Sequence, residues 1–274
     1  MSNPKRPIGI FDSGVGGLSV LRALRERIPA EDVIYLGDQG HVPYGPRPMA
    51  QIQQFSVAIT QFLLAQHAKL IVVACNTASA AALTQLRETF PAEIFVGMEP
   101  AVKPAAEHTH TGKVGVLATP ATFQGALYAS VVERFAAGVE LFQDTCQGLV
   151  EQIEKGDLDG PVTRSILESA LRPMLEKQID IVVLGCTHYP FVIPLIEEIV
   201  GPRVRVIDPG PAVARRVDRL LEGARSDTKP IGSGAIRFYT TGDVNAFASL
   251  LPRLLGESGD VSPATWAGDT ELSA

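Results

Sequence analysis

Two stretches of this chain end in the same way. Residues 71–79 read IVVACNTAS and residues 181–190 read IVVLGCTHYP. In each, a β-branched apolar run passes straight into a cysteine, Cys75 or Cys186, and then into small polar residues. Such a run, bounded by small and polar groups, predicts a strand buried on both faces. Residues 78–90 predict a helix, so Cys75 falls where a parallel strand hands over to a helix. Open α/β sheets bind ligands along that edge. A thiol facing the first N–H groups of a helix should have a depressed pKa, because the helix dipole favours thiolate. Taken singly, Cys75 reads equally well as a small core residue. The echo at Cys186 favours two thiols on two faces of one cleft.

The rest of the chain is built around these strands. Residues 8–11 predict a first strand, followed by a glycine-rich turn and a helix with Leu18, Leu21, Leu24 and Ile28 at helical spacing. Strands at 33–37, 70–74 and 94–97 and a helix at 50–66 continue the alternation, which predicts a parallel sheet with right-handed crossovers. The pattern then restarts. VGVLA at 114–118 resembles IGIFD at 8–12, an offset of 114 − 8 = 106, and the cysteines are 186 − 75 = 111 apart. These offsets predict an internal duplication: an α/β fold of two similar parallel-sheet domains with the site between them. Residues 1–99 and 209–256 would form the first domain, carrying Asp12 and Cys75. Residues 100–208 would form the second, with strands at 139–143 and 203–207. A helix at 212–222, a strand at 236–240 and a helix at 247–255 return to the first sheet. Residues 257–274, rich in Gly, Ser and acids, are expected to be a flexible tail.

Composition narrows the function classes. Of 274 residues, 46% are hydrophobic and only 6% aromatic, which suits parallel sheets covered by helices. The net charge is 24 − 30 = −6 with no basic stripe, so no nucleic acid partner is expected. Three cysteines without a CxxC motif argue for a reducing, cytoplasmic setting rather than a disulfide framework. No apolar run approaches the roughly 20 residues that span a bilayer, and no membrane association is expected.

The candidate chemistry lies at the strand ends. Asp12 opens the turn Ser13-Gly14-Val15-Gly16-Gly17, whose glycines let N–H donors approach an anion. This is neither a P-loop nor GxGxxG, and a carboxylate site that keeps Asp12 near Cys75 is the preferred reading over a plain N-cap turn. In Cys186-Thr187-His188 an imidazole follows the thiol closely enough to hold or carry its proton. A cysteine hydrolase would need one such pair and leave Cys75 idle. Inverting a stereocentre without a cofactor needs an acid on one face and a base on the other, and two tunable thiols suit that. No cofactor fingerprint is present, although pyridoxal phosphate stays open at this point. His108 and His110 read as surface residues rather than metal ligands, Cys146 as structural, and Glu154 as a carboxylate on a short helix.

These residues carry a resemblance. FDSGVGGLSVL, VPYG, ACNTASA, LGCTHYP and FYTTGD, in this order, resemble the glutamate racemases of the aspartate/glutamate racemase superfamily over nearly the whole chain before residue 256. The resemblance implies cofactor-independent interconversion of L- and D-glutamate for peptidoglycan, in two domains related by a pseudo-two-fold axis, commonly as a homodimer. It implies that Cys75 deprotonates D-glutamate and Cys186 L-glutamate, assisted by Asp12 and His188. Glu154 occupies the family's acidic position, although TCQGLVEQIEKG lacks the usual prolines. Asp12, Ser13, Tyr44, Gly45, Asn76, Thr77, Thr187 and His188 would hold the substrate. A related decarboxylase would need only one thiol, and a binding module with structural or redox thiols would release no labelled glutamate.

Overall fold

The computed structural model describes residues 6–222 and 232–274. Among these, the strands are β1 (Ile8–Asp12), β2 (Val33–Gly37), β3 (Leu70–Val73), β4 (Phe95–Val96), β5 (Lys113–Ala118), β6 (Glu140–Asp144), β7 (Ile181–Gly185), β8 (Arg205–Ile207), β9 (Ile236–Thr240) and β10 (Val261–Pro263). A short hairpin, β11 (Thr265–Ala267) with β12 (Glu271–Ser273), follows.

Two parallel sheets result. The first has the order β10-β9-β2-β1-β3-β4 and the second β6-β5-β7-β8. Strip β9 and β10 from the first and the two orders are the same: β2-β1-β3-β4 corresponds to β6-β5-β7-β8. Cys75 follows β3 and Cys186 follows β7, which are equivalent strands. β1, β3, β5 and β7 are central and almost wholly buried, which is why each reads as a continuous apolar run rather than an alternating one. The helices Leu18–Arg27 and Gly210–Glu222 pack on each other, and one apolar cluster runs from Ile10 and Leu21 through Leu117 and Leu184 to Leu251. Side chains of both sheets therefore share a continuous core.

Helices cover the sheets where the sequence reading names none. Ala126–Phe135 and Pro161–Glu176 lie in the second half. Pro161 starts the latter at its first position, where a missing N–H costs nothing, and the helix continues through Pro173, a residue that reads as a breaker.

The last segment departs from expectation. Residues 257–274, read as a flexible tail, instead pair β10 alongside β9 and fold back as the β11–β12 hairpin. Ala264 and Leu272 are buried in the apolar cluster with Phe55 and Ile59, and Trp266 packs against it. The polar composition hid these anchors, each isolated between exposed neighbours. No helix among the described residues is long and apolar enough to cross a membrane.

Candidate active site

The turns after the four central strands converge. Ser13 follows β1, Cys75 to Thr77 follow β3, Thr119 follows β5, and Cys186 to His188 follow β7. All of them line one narrow cavity, completed by Pro43, Tyr44, Gly45 and Val150. Both thiols thus face a common space, one from each sheet. All three cysteines are free.

Cys75 caps the helix Asn76–Thr89: its sulfur accepts the Ala78 N–H at 3.4 Å and lies 3.9 Å from the Ser13 hydroxyl. The cap does not depress its pKa. Burial, followed by the negative charge of Asp12, pushes the thiol well above its ordinary value, outweighing the helix N–H and the hydroxyl. The expected depression fails because Cys75 is only 5% exposed, and desolvation of a thiolate exceeds what one terminal N–H returns. Cys75 rests as a thiol.

Cys186 sits differently. Its sulfur lies 3.7 Å from Nδ1 of His188, and Nε2 of His188 lies 2.6 Å from Oε1 of Glu154. Burial alone would lower the His188 pKa, yet the hydrogen bonds and charges of Cys186 and Glu154 raise it well above the ordinary value. Burial would likewise raise Glu154, but hydrogen bonds from His188, Gln39 and the Val15 N–H pull its carboxyl below the usual range. His188 and Glu154 form a buried imidazolium–carboxylate pair.

The glycine-rich turn has a different job from the one expected. Its donors serve the chain's own carboxylates: Val15 N–H donates to Glu154 Oε1 at 2.7 Å, and Gly14 N–H to Asp12 Oδ2 at 3.0 Å. A Cβ on Gly14 would stand 2.0 Å from Glu154 Oε1, and one on Gly16 would stand 2.4 Å from His188 Nδ1. The glycines are there because Glu154 and His188 pack directly on the turn. Asp12 is fully buried and is not among the residues lining the cavity. It accepts the Thr187 hydroxyl at 3.1 Å, and its own pKa is raised by burial. Asp12 ties the end of β1 to the end of β7.

Other polar groups complete the walls. The hydroxyls of Thr77 and Thr119 lie 2.7 Å apart. Both amide atoms of Asn76 are buried without a hydrogen-bond partner, an arrangement a folded chain tolerates where a ligand supplies the partners. His108 and His110 are exposed and remote from this cavity, and Cys146 is buried in the core. Among the described residues no three His, Cys, Asp or Glu side chains cluster as metal ligands would.

Four participants are absent from the site residues named from the sequence: Pro43, Thr119 and Val150, which line the cavity, and Gln39, whose amide donates to Glu154 at 2.9 Å. Thr119 was accessible in principle, because 119 − 13 = 106 is the same offset that relates the two halves, and Ser13 is its counterpart. No local signal marks Val150 or Gln39.

Two parallel sheets thus bring two thiols from equivalent strand ends to one cavity. A sequence profile described as Asp/Glu/hydantoin racemase matches residues 8–217, and the chain belongs to that family. It is 48% identical over 262 residues to a glutamate racemase of Ectopseudomonas mendocina, covering 95% of this chain and 99% of that one. It is 49% identical over 251 residues to one of Roseiflexus sp., covering 91% and 92%. The crystal structure of glutamate racemase from Francisella tularensis in complex with D-glutamate superposes with a TM-score of 0.82 at 32% identity, covering 97% of this chain and 98% of that one.

Proposed function

We propose that this protein interconverts L- and D-glutamate by passing a proton between Cα and two thiols on opposite faces of the substrate, without a cofactor. The observation that carries the proposal is the shared cavity: Cys75 and Cys186 line it together, each at the end of an equivalent strand. Relatives 48–49% identical over nearly their full length are glutamate racemases, and a structural neighbour holds D-glutamate.

In the L-to-D direction Cys186, entering as the thiolate beside the His188 imidazolium, takes the α-proton as the Cα–H bond breaks and becomes the thiol. The electron pair moves toward the substrate's carboxylate. Cys75, resting as a thiol, returns a proton to the opposite face and becomes the thiolate. The reverse direction exchanges the roles. Raising a second negative charge beside a carboxylate is the difficult part, and preorganised donors in a dry site favour it. Ser13, Asn76, Thr77 and Thr187 surround the space where that charge develops, with Tyr44 and Gly45 closing one side. Asp12 acts on this arrangement through Thr187, and Glu154 through His188.

Residues 1–99 with 209–256, and residues 100–208, are the two domains of this reading, and the product is D-glutamate for peptidoglycan, made in the cytoplasm by a homodimer. The test is incubation of L-glutamate with purified protein and no pyridoxal phosphate, followed by circular dichroism. The signal decays to zero if the reading holds. A constant signal, with aspartate run alongside and also unchanged, overturns it in favour of a binding role.

A further inference from the structure

Asp38, just past the end of β2, is fully buried. Four side chains converge on its carboxylate. Oδ1 accepts from the Thr241 hydroxyl at 2.7 Å and the Trp266 indole N–H at 2.8 Å. Oδ2 accepts from the Tyr44 hydroxyl at 2.6 Å, and Nδ1 of His41 lies 3.0 Å away. These donors come from three segments: the loop that carries His41 and Tyr44, the turn after β9, and the C-terminal hairpin. Rings close around them. His41 stacks on Phe55 with centroids 4.0 Å apart, and Trp266 meets both at 5.1 and 5.4 Å.

What the cluster holds is part of the cavity wall. Tyr44 and Gly45 line the cavity, whereas Asp38, His41 and Trp266 do not. Gly45 abuts the opposite half, since a Cβ there would stand 3.1 Å from Thr119. Residues 43–45 therefore bridge from the first sheet to the second, and their position is set from behind by a carboxylate whose last donor arrives from the end of the chain.

We propose that the C-terminal hairpin clasps the substrate loop: through Asp38, the Trp266 indole N–H fixes Tyr44 and Gly45 in the cavity wall, making Trp266 and Asp38 positioning residues for substrate binding. The proposal rests on the glutamate reading of the cavity. Neither residue touches substrate. A charged acceptor with four donors orients the Tyr44 hydroxyl more strictly than a neutral one could, and removing one donor lets the carboxylate and the loop shift together.

Trp266→Phe keeps an aromatic ring against His41 and Phe55 while removing the N–H and part of the indole's area, so a thermal melt is run beside the kinetics to read the packing loss separately. The variant should raise KM for both glutamate enantiomers roughly three- to tenfold, the equivalent of part of one charge-assisted hydrogen bond, with kcat within about twofold. Trp266 is the chain's sole tryptophan, so its emission in the wild type should also change as glutamate saturates the site. An unchanged KM, or a loss confined to kcat, overturns the proposal. Should the Phe variant not fold, Asp38→Asn, of equal size, is read by the same KM criterion. Absence of turnover in the wild type would instead overturn the racemase reading beneath it.

Discussion

Asn76 lines the cavity with a buried amide that no protein group satisfies. A buried amide left unpaired costs about 1–3 kcal/mol, and a bound carboxylate or ammonium would supply its partners. Asn76→Ala should accordingly stabilise the substrate-free protein by about 1 kcal/mol while raising KM about tenfold, read by thermal melts and steady-state kinetics. A variant that lost stability without changing KM would place the amide in the fold rather than the site. At the thiols the stakes are larger. Cys75→Ala and Cys186→Ala should each lower racemisation by about 10³-fold or more, since a positioned acid or base contributes 10²–10⁴-fold and neither thiol has a substitute. Circular dichroism at fixed substrate measures both.

The turn between β1 and the helix Leu18–Arg27 is where elements from both halves meet. Gly14→Ala should cost about 2 kcal/mol by chemical denaturation, because the new methyl would occupy the place of Glu154 Oε1. The Glu154–His188 pair gives stability a characteristic pH dependence. Glu154 is held below its ordinary 4.5, so its contribution is present above that value and is lost as pH falls through the depressed pKa. His188 is held above its ordinary 6.5, so its contribution is present below 6.5 and is lost as pH rises through the raised pKa. Both are complete between 4.5 and 6.5. Glu154→Gln should therefore cost about 3 kcal/mol in that window and progressively less at alkaline pH, as urea titrations at about pH 6 and about pH 10 would record. A cost independent of pH would contradict the ion pair. How much of this site the sequence reveals depends on the residue. Cys75 and Cys186 announce themselves because apolar strands run straight into them. Glu154 is reached only through the family resemblance: its helix carries no motif of its own, and only the folded turn shows that the glycines exist to receive it. The sign of the Cys75 shift was also illegible, since a helix N-terminus is visible in sequence but burial of the cap is not.

At the scale of the whole molecule the duplication organises everything. The strand order β2-β1-β3-β4 is repeated as β6-β5-β7-β8, and the 106-residue offset between IGIFD and VGVLA is its trace in the sequence. Continuous apolar runs made the central strands legible, because strands buried on both faces must be written that way. The edge at β10 and the C-terminal hairpin were not, because exposed residues surround single anchors such as Ala264 and Leu272. Equivalent strand ends facing one cavity bring two thiols over a hundred positions apart to a shared space, as the proposed two-thiol reaction requires. The most direct test is racemisation of L-glutamate in D₂O, with deuterium at Cα measured separately in each enantiomer during the first few per cent of conversion. A thiol keeps the single proton it abstracts, while the opposing thiol carries deuterium from solvent. The D-glutamate formed should be almost fully deuterated and the remaining L-glutamate almost wholly protium. Protium retained in the product, or deuterium appearing equally in both enantiomers, would mean that one base serves both faces.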